Sequence, residues 1–324
     1  MPFSALLGND LAQEILKRSI KHQTMPHVLL FAGPDGVGKG LFALKTAELL
    51  MGPPHAAKII SGNHPDLHVL QTEGKAGMHP IEHVRSLIKE AGMPPFEAPV
   101  KVFIIHDAHQ MLPSSSNALL KTLEEPFPNT YFILLTSQAE SILPTILSRS
   151  RKIPFFPLSH REIERFLIDQ RKQEPHEAKR IAFLSHGSLS KAADLSERKP
   201  NTCLHRLMQL RLPQEYAQFL GLCDELEKQL SPSSEEESSV PLMDSFLEEL
   251  CAWYRDLHLL KTGGAPEYVY HLEALPILQE RAQQPLLPLE EIMSEILHIR
   301  LALQRHIKWR VALEQFFSAV SRER

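Results

Sequence analysis

Residues 27–40 have the sequence HVLLFAGPDGVGKG, in which an apolar run is followed directly by a glycine-rich loop. The apolar run predicts a buried strand, and residues 41–50 predict a helix. A G-x-x-x-x-G-K loop between a strand and a helix is typical of a P-loop, whose backbone N–H groups hold phosphates. The alternative, a tight glycine turn with a surface lysine, is disfavoured by this spacing and context. The candidate nucleotide-binding residues are therefore Gly33, Gly36, Gly38 and Lys39.

Groups that an ATPase needs are missing around this loop. A working P-loop has Ser or Thr after its lysine, because the hydroxyl coordinates Mg²⁺, and here that position is Gly40. Hydrolysis also needs acidic residues at the end of a neighbouring strand. The strand predicted at 100–105 is followed by His106 and Asp107, and imidazole is a poor ligand for magnesium. The sequence thus argues against ATPase activity, and nucleotide binding is expected to be degenerate or absent.

Strand and helix patterns alternate through the first half of the chain. Further strands are predicted at 66–70, 131–135 and 152–156. Alternation of this kind predicts an α/β fold with a mainly parallel sheet.

The pattern becomes helical in the second half. Residues 231–237 and 262–264 are predicted to be loops by composition, and 288–320 hold one long helical pattern. We predict three domains: an α/β core at 1–157, a small helical lid at 158–200 and an all-α domain at 201–324.

Composition limits the partners and the compartment. The chain has 35 basic and 39 acidic residues, and no basic stripe beyond residues 148–152, so we expect any DNA contact to be shared with other subunits. The cysteines, Cys203, Cys223 and Cys251, lack metal-binding or disulfide spacing, and the histidine pairs lack a third ligand. We therefore predict no metal site. With no signal peptide or membrane-spanning run apparent, we expect a cytoplasmic protein.

Several motifs together resemble a known family. They are NALLKTLEEP at 117–126, TS at 136–137, ILSRSR at 146–151, NHPD at 63–66 and, more weakly, RVALE at 310–314. This set is similar to the bacterial clamp-loader AAA+ subunits of the DNA polymerase III holoenzyme. The resemblance implies an AAA+ P-loop core, a helical lid and a C-terminal collar domain. It also implies loading of a sliding clamp onto primer–template DNA.

Departures from the family pattern indicate the branch. His106 stands where the motor subunit has its Mg²⁺-binding aspartate, and Ser190 stands where the lid has an arginine that senses the γ-phosphate. The delta-prime branch resembles the motor but loses these groups, while it keeps the Ser-Arg-Cys motif, here with Ser150 in place of cysteine. The resemblance then implies that Arg149 is an arginine finger acting in trans on a gamma/tau motor subunit, in a complex that also contains a delta subunit.

One family feature is missing, and two other functions stay open. Related subunits often carry a four-cysteine zinc module, but residues 51–63 contain no cysteine, so we predict no zinc. An active AAA+ ATPase motor with an unusual metal site is the first alternative, and Gly40, His106 and Ser190 count against it. A stand-alone DNA-binding regulator is the second, and the acidic charge balance counts against it.

Overall fold

A five-stranded sheet lies at the centre of the N-terminal half. This computed structural model describes residues 3, 6–72, 78–197, 206–207, 210, 215–230, 240–305 and 307–320. The strands are β1 (Val28–Ala32), β2 (Leu67–Leu70), β3 (Lys101–Ile105), β4 (Thr130–Thr136) and β5 (Arg151–Pro154). Their order is β2-β3-β4-β1-β5, and every neighbouring pair is parallel. The predicted α/β core with a parallel sheet is confirmed.

Strands β1 and β3 consist mainly of apolar residues because helices cover both faces of the sheet, which buries every side chain of these two strands. All five residues of β1 and all five of β3 are buried. Successive side chains of a strand point to opposite faces, so Leu29 and Phe31 pack in one core and Val28 and Leu30 in the other. A strand that is buried on both faces needs a continuous apolar run, and this is why the pattern was clear in the sequence.

Among the described residues, six helices lie before or between these strands, and the next three follow β5 directly. The first six are α1 (Asp10–Lys21), α2 (Lys39–Met51), α3 (Ala56–Ile60), α4 (Ile81–Ala91), α5 (Pro113–Glu124) and α6 (Pro144–Leu147). The next three are α7 (His160–Arg171), α8 (Pro175–Leu184) and α9 (Leu189–Glu197). Short 3₁₀ turns lie at Pro53–His55, Ala108–Gln110 and Ala139–Ser141.

The described part of the C-terminal region is helical. Its helices are α10 (Tyr216–Leu230), α11 (Val240–Lys261), α12 (Leu275–Ala282), α13 (Leu289–Gln304) and α14 (Trp309–Val320), with 3₁₀ turns at Pro266–Tyr268 and Leu272–Ala274. They share one apolar core, which includes Trp253 and Phe316. The predicted loop at 262–264 follows the end of α11, whereas the one at 231–237 lies outside the described residues.

The prediction of one long helical pattern over 288–320 is wrong as a single helix. The structure ends α13 at Gln304 and begins α14 at Trp309. This break lets α14 contact both α13 and α10, and Trp309 then meets Phe246 edge to face at a ring-centroid distance of 5.1 Å. Apolar spacing alone does not reveal the break, because both helices present apolar residues to the same core.

The chain divides into two compact units. The N-terminal unit is Met1–Phe166 with Ser185–Asp194, and the C-terminal unit is Leu167–Leu184 with Leu195–Arg324. Residues 158–200 thus contribute to both units, and the predicted boundaries at 157 and 200 stay a prediction. Among the described residues, no helix has the length and apolar character needed to cross a bilayer.

Candidate functional site

The glycine-rich loop lies at the carboxyl end of β1 and leads into α2. Gly36 and Gly38 have φ values of 75° and 100°, a region that side chains disfavour, so these positions need glycine. A Cβ at Gly33 would lie 2.2 Å from the Phe155 carbonyl oxygen, so the loop and the chain after β5 pass too close for any other residue. The predicted P-loop geometry therefore rests on its glycines.

Lys39 turns back onto the loop that it follows. Its Nζ donates to the carbonyl oxygens of Gly33 at 2.6 Å and Pro34 at 2.7 Å, and it lies 3.2 Å from Asp35 Oδ1. The side chain is only 8% exposed. An ammonium has three N–H donors, and each has a partner inside the loop. The charge that would meet a phosphate is thus already paired.

His106 lies beside the position where a P-loop hydroxyl would stand. A Cβ at Gly40 would lie 3.4 Å from His106 Cε1, so the imidazole borders the space of that missing side chain. Burial lowers the pKa of His106, outweighing the attraction of nearby Asp107, and this favours the neutral ring. Glycine offers no oxygen and imidazole is a poor magnesium ligand, so the residues here do not fit Mg²⁺.

The beginning of α9 packs against the same loop. The backbone N–H groups of Leu189 and Ser190 donate to the Gly36 carbonyl at 2.8 and 3.2 Å. A Cβ at Gly36 would lie 1.9 Å from Ser188 Oγ. These contacts satisfy two of the unpaired N–H groups at a helix start and hold the loop and the helix together. The Ser190 Cβ would lie 3.2 Å from a Cβ at Gly36, so residue 190 borders the loop but carries a short hydroxyl side chain in place of an arginine.

Arg149 lies just beyond α6, with its guanidinium on the protein surface. Its Nη2 pairs with Glu124 Oε1 at 2.5 Å, and its Nη1 donates to the Thr145 carbonyl at 2.8 Å and to Ser148 Oγ at 3.2 Å. These partners lie on α5, on α6 and at the residue after α6, and none of them is among the residues that Lys39 contacts. The sequence had indicated Arg149 and the helix that carries Glu124, but not their ion pair.

The NHPD motif has a structural role that the sequence did not reveal. Asp66 is fully buried, and its carboxylate accepts backbone N–H bonds from Phe96 (2.6 Å), Glu97 (2.8 Å) and Ala98 (2.9 Å). Burial alone would raise the pKa of Asp66, but these hydrogen bonds outweigh it and lower the pKa. No local pattern could have found these partners, because they lie some thirty residues further along the chain.

One group of possible metal ligands was missed in the sequence. His55, His64 and Glu97 bring ligand atoms within 4.8 Å of one another. However, His64 Nδ1 accepts the backbone N–H of Asp66 at 3.0 Å, so Nε2 carries the proton, and it lies 2.8 Å from His55 Nδ1. Glu97 is held by Lys58 through both oxygens at 2.8 Å. These side chains thus satisfy one another, and His64 has no lone pair to offer an ion.

Comparison with known proteins supports the family resemblance. Residues 8–159 match the model of the family described as "DNA polymerase III, delta subunit". The chain is 33% identical to the DNA polymerase III subunit delta' of Bacillus subtilis over 201 residues, 58% of this chain and 60% of that protein. It is 32% identical to the gamma/tau subunit of Mycoplasma pneumoniae over 205 residues, 60% of this chain and 29% of that protein. The chain therefore spans less than two thirds of these relatives.

The fold also has a similar solved structure. A gamma subunit-related protein of DNA polymerase III from Thermotoga maritima aligns over 94% of this chain and 97% of that one, with 18% identity and a TM-score of 0.46.

Proposed function

We propose that the chain is a clamp-loader subunit of the delta-prime type, and the match of residues 8–159 to the family model described as "DNA polymerase III, delta subunit" supports this proposal. In this proposal it assembles in the cytoplasm with gamma/tau motor subunits and a delta subunit, and it helps to place a sliding clamp on primed DNA. It meets primer–template DNA as part of that complex. It hydrolyses no ATP itself and donates Arg149 to a neighbouring motor subunit.

The observation that carries this proposal is that the lysine of the phosphate loop is bound to the loop's own oxygen atoms. Lys39 Nζ donates hydrogen bonds to two carbonyl oxygens of the loop, and a Cβ at Gly40 would lie 3.4 Å from His106 Cε1. A nucleotide would have to break the lysine contacts, and Mg²⁺ would find neither a hydroxyl at residue 40 nor a carboxylate at residue 106. Such a loop suits a subunit that supports the assembly.

Arg149 has the position and chemistry of a residue that acts on another subunit. It is 34% exposed, and its partners are the ends of two helices. A guanidinium placed beside a neighbour's γ-phosphate neutralises the charge that develops during hydrolysis, with no need for a working site on its own chain. The loss of the Mg²⁺ ligands and the retention of Arg149 therefore fit one role.

An active motor subunit is the second candidate, and the similarity to a gamma/tau subunit favours it. That function would require Lys39 to leave its carbonyl partners and a metal to bind without the usual oxygen ligands. ATP hydrolysis by the isolated chain would favour the motor, because a subunit without a working site of its own cannot hydrolyse ATP alone.

The first experiment measures ATP hydrolysis by the isolated chain and by a reconstituted loader with clamp and primed DNA. We expect the isolated chain to hydrolyse no ATP. In the complex, Arg149→Ala should slow the one site that it serves by about 10³-fold, seen as loss of that site's share of the phosphate burst. Arg151→Ala is the matched control, because Arg151 is also exposed and stands two residues further along. Turnover by the isolated chain, or equal effects of the two variants, would refute the proposal.

A second experiment tests the phosphate loop directly. Gly40→Ser with His106→Asp restores a hydroxyl and a carboxylate, and it removes the imidazole from beside residue 40. We expect the double variant to bind a fluorescent ATP analogue in a Mg²⁺-dependent way, while each single variant binds no better than the wild type. Mg²⁺-dependent binding by the wild type would contradict our description of the loop.

A further inference from the structure

We propose that Glu124 is the positioning residue of Arg149, and this inference rests on the proposed function. Glu124 is the last residue of α5, and its Oε1 lies 2.5 Å from Arg149 Nη2. Thr145 O and Ser148 Oγ bind the other terminal nitrogen, Nη1. The guanidinium is therefore held at both ends of its plane, by α5 and by α6.

The backbone that carries Arg149 is fixed by α6. The Arg149 N–H donates to the Ile146 carbonyl at 3.1 Å, and the Ser150 N–H donates to the Leu147 carbonyl at 3.2 Å. Ser150 Oγ adds a 2.7 Å bond to the same Ile146 carbonyl. With the main chain held in this way, the side-chain torsions of Arg149 are the remaining freedom, and Glu124 restrains them.

The ion pair can orient the guanidinium of Arg149 and still leave some of its N–H donors available. Both side chains are partly exposed, 34% for Arg149 and 45% for Glu124, so water screens the pair and its attraction is weak. A guanidinium has five N–H donors, and Glu124, Thr145 and Ser148 use three of them, so phosphate oxygens of a neighbouring subunit can bind the Nε–H and the second Nη2–H. An arginine held near its working geometry loses less freedom when the transition state forms. Glu124 thus acts on the reaction through Arg149.

The test is a double-mutant cycle in the reconstituted loader, with assembly checked by size-exclusion chromatography. Glu124→Ala should lower kcat at the site served by Arg149 by up to about fivefold, the effect of an exposed pair, and leave the KM for ATP unchanged. Glu124→Gln, which keeps an acceptor oxygen, should retain most of the rate. In the Arg149→Ala background, Glu124→Ala should have no further effect. Glu125→Ala is the matched control, since Glu125 is the adjacent exposed carboxylate.

Each other outcome has a separate meaning. An equal loss from Glu124→Ala in both backgrounds would show a role independent of Arg149 and overturn the inference. A gain in kcat would overturn it as well, because Glu124 would then restrain the arginine from reaching the phosphate. If Arg149→Ala leaves kcat unchanged, the proposed function and this inference are both overturned. If Arg149→Ala lowers kcat but Glu124→Ala does not, the inference alone is overturned.

Discussion

Replacing Arg180 should destabilise the C-terminal unit, because this residue joins α8 to α11 through buried charges. Its Nε and Nη2 donate to the two carboxylate oxygens of Glu177 at 3.0 and 2.6 Å, and its Nη1 binds Glu249 Oε1 at 2.5 Å. The Arg180 side chain is 7% exposed and that of Glu249 is 10% exposed. Arg180→Met keeps the hydrocarbon stem of the side chain and removes only the charge and the hydrogen bonds.

The expected loss is about 3–5 kcal/mol of unfolding free energy, since the variant removes a buried cation that two carboxylates contact. The matched control is Arg171→Met. Arg171 also pairs with a glutamate, Glu197, at 2.6 Å, but the two side chains are 38% and 68% exposed. Exposed pairs contribute about 0–1 kcal/mol, so the control should change little.

Tryptophan fluorescence in urea is the assay, because the chain has two tryptophans and both report on the C-terminal unit. Trp253 lies in α11, and Trp309 begins α14. A loss of this size should lower the urea midpoint by roughly 1–2 M. If Arg180→Met and Arg171→Met shift the midpoint by the same small amount, the reasoning from burial is refuted.

The stabilisation by the Arg180–Glu177 ion pair should depend on pH, and the pKa of Glu177 gives the direction of that dependence. Burial alone would raise the pKa of Glu177, but the hydrogen bond and charge of Arg180 outweigh it and lower the pKa. The stabilisation is therefore fully present above the ordinary glutamate pKa and is lost as the pH falls through the lower, folded-state value. The difference in stability between wild type and Arg180→Met should narrow on acidification. A difference that stays constant down to the lower pKa would contradict this account.

The remaining predictions concern a buried carboxylate and two thiols. Asp66→Asn should destabilise the N-terminal unit by about 2–4 kcal/mol, because one amide oxygen cannot accept all three backbone N–H bonds. Hydrogen exchange should accelerate at residues 96–98, and unchanged exchange there would count against it. Burial raises the pKa of Cys223 to about 12 and of Cys251 to about 11. Iodoacetamide at pH 8 should label both at least about 10²-fold more slowly than a free cysteine, as measured by mass spectrometry; labelling at the free rate would contradict the burial.

The sheet could be predicted from sequence because its strands are buried on both faces. The sequences of β1 and β3 contain continuous apolar runs, which are typical of strands in a covered parallel sheet. Glycine or proline marks several of the turns between elements. The break between α13 and α14 could not be predicted in the same way. It depends on where Trp309 finds a place in the helical core, and this is set by residues elsewhere in the chain.

The candidate site shows a similar limit. Spacing alone indicated the loop glycines and Lys39, and the motif around Arg149 indicated that arginine. The direction of the Lys39 side chain and the partner of Arg149 depend on contacts formed only in the folded chain. Local patterns describe the backbone well, but they do not describe which polar atoms meet.

The position of His106 beside the space of a side chain at residue 40 has an evolutionary consequence under the proposed function. A mutation that returned a hydroxyl at residue 40 would still face an imidazole instead of an acidic ligand. A mutation that returned aspartate at residue 106 would face a glycine that offers nothing to the metal. Neither step alone would be favoured by selection for hydrolysis, because each restores only half of a ligand set. Under the proposed function, these two positions would therefore act as an evolutionary ratchet: regaining hydrolysis would require both changes together, whereas any further nucleotide-binding group could be lost singly.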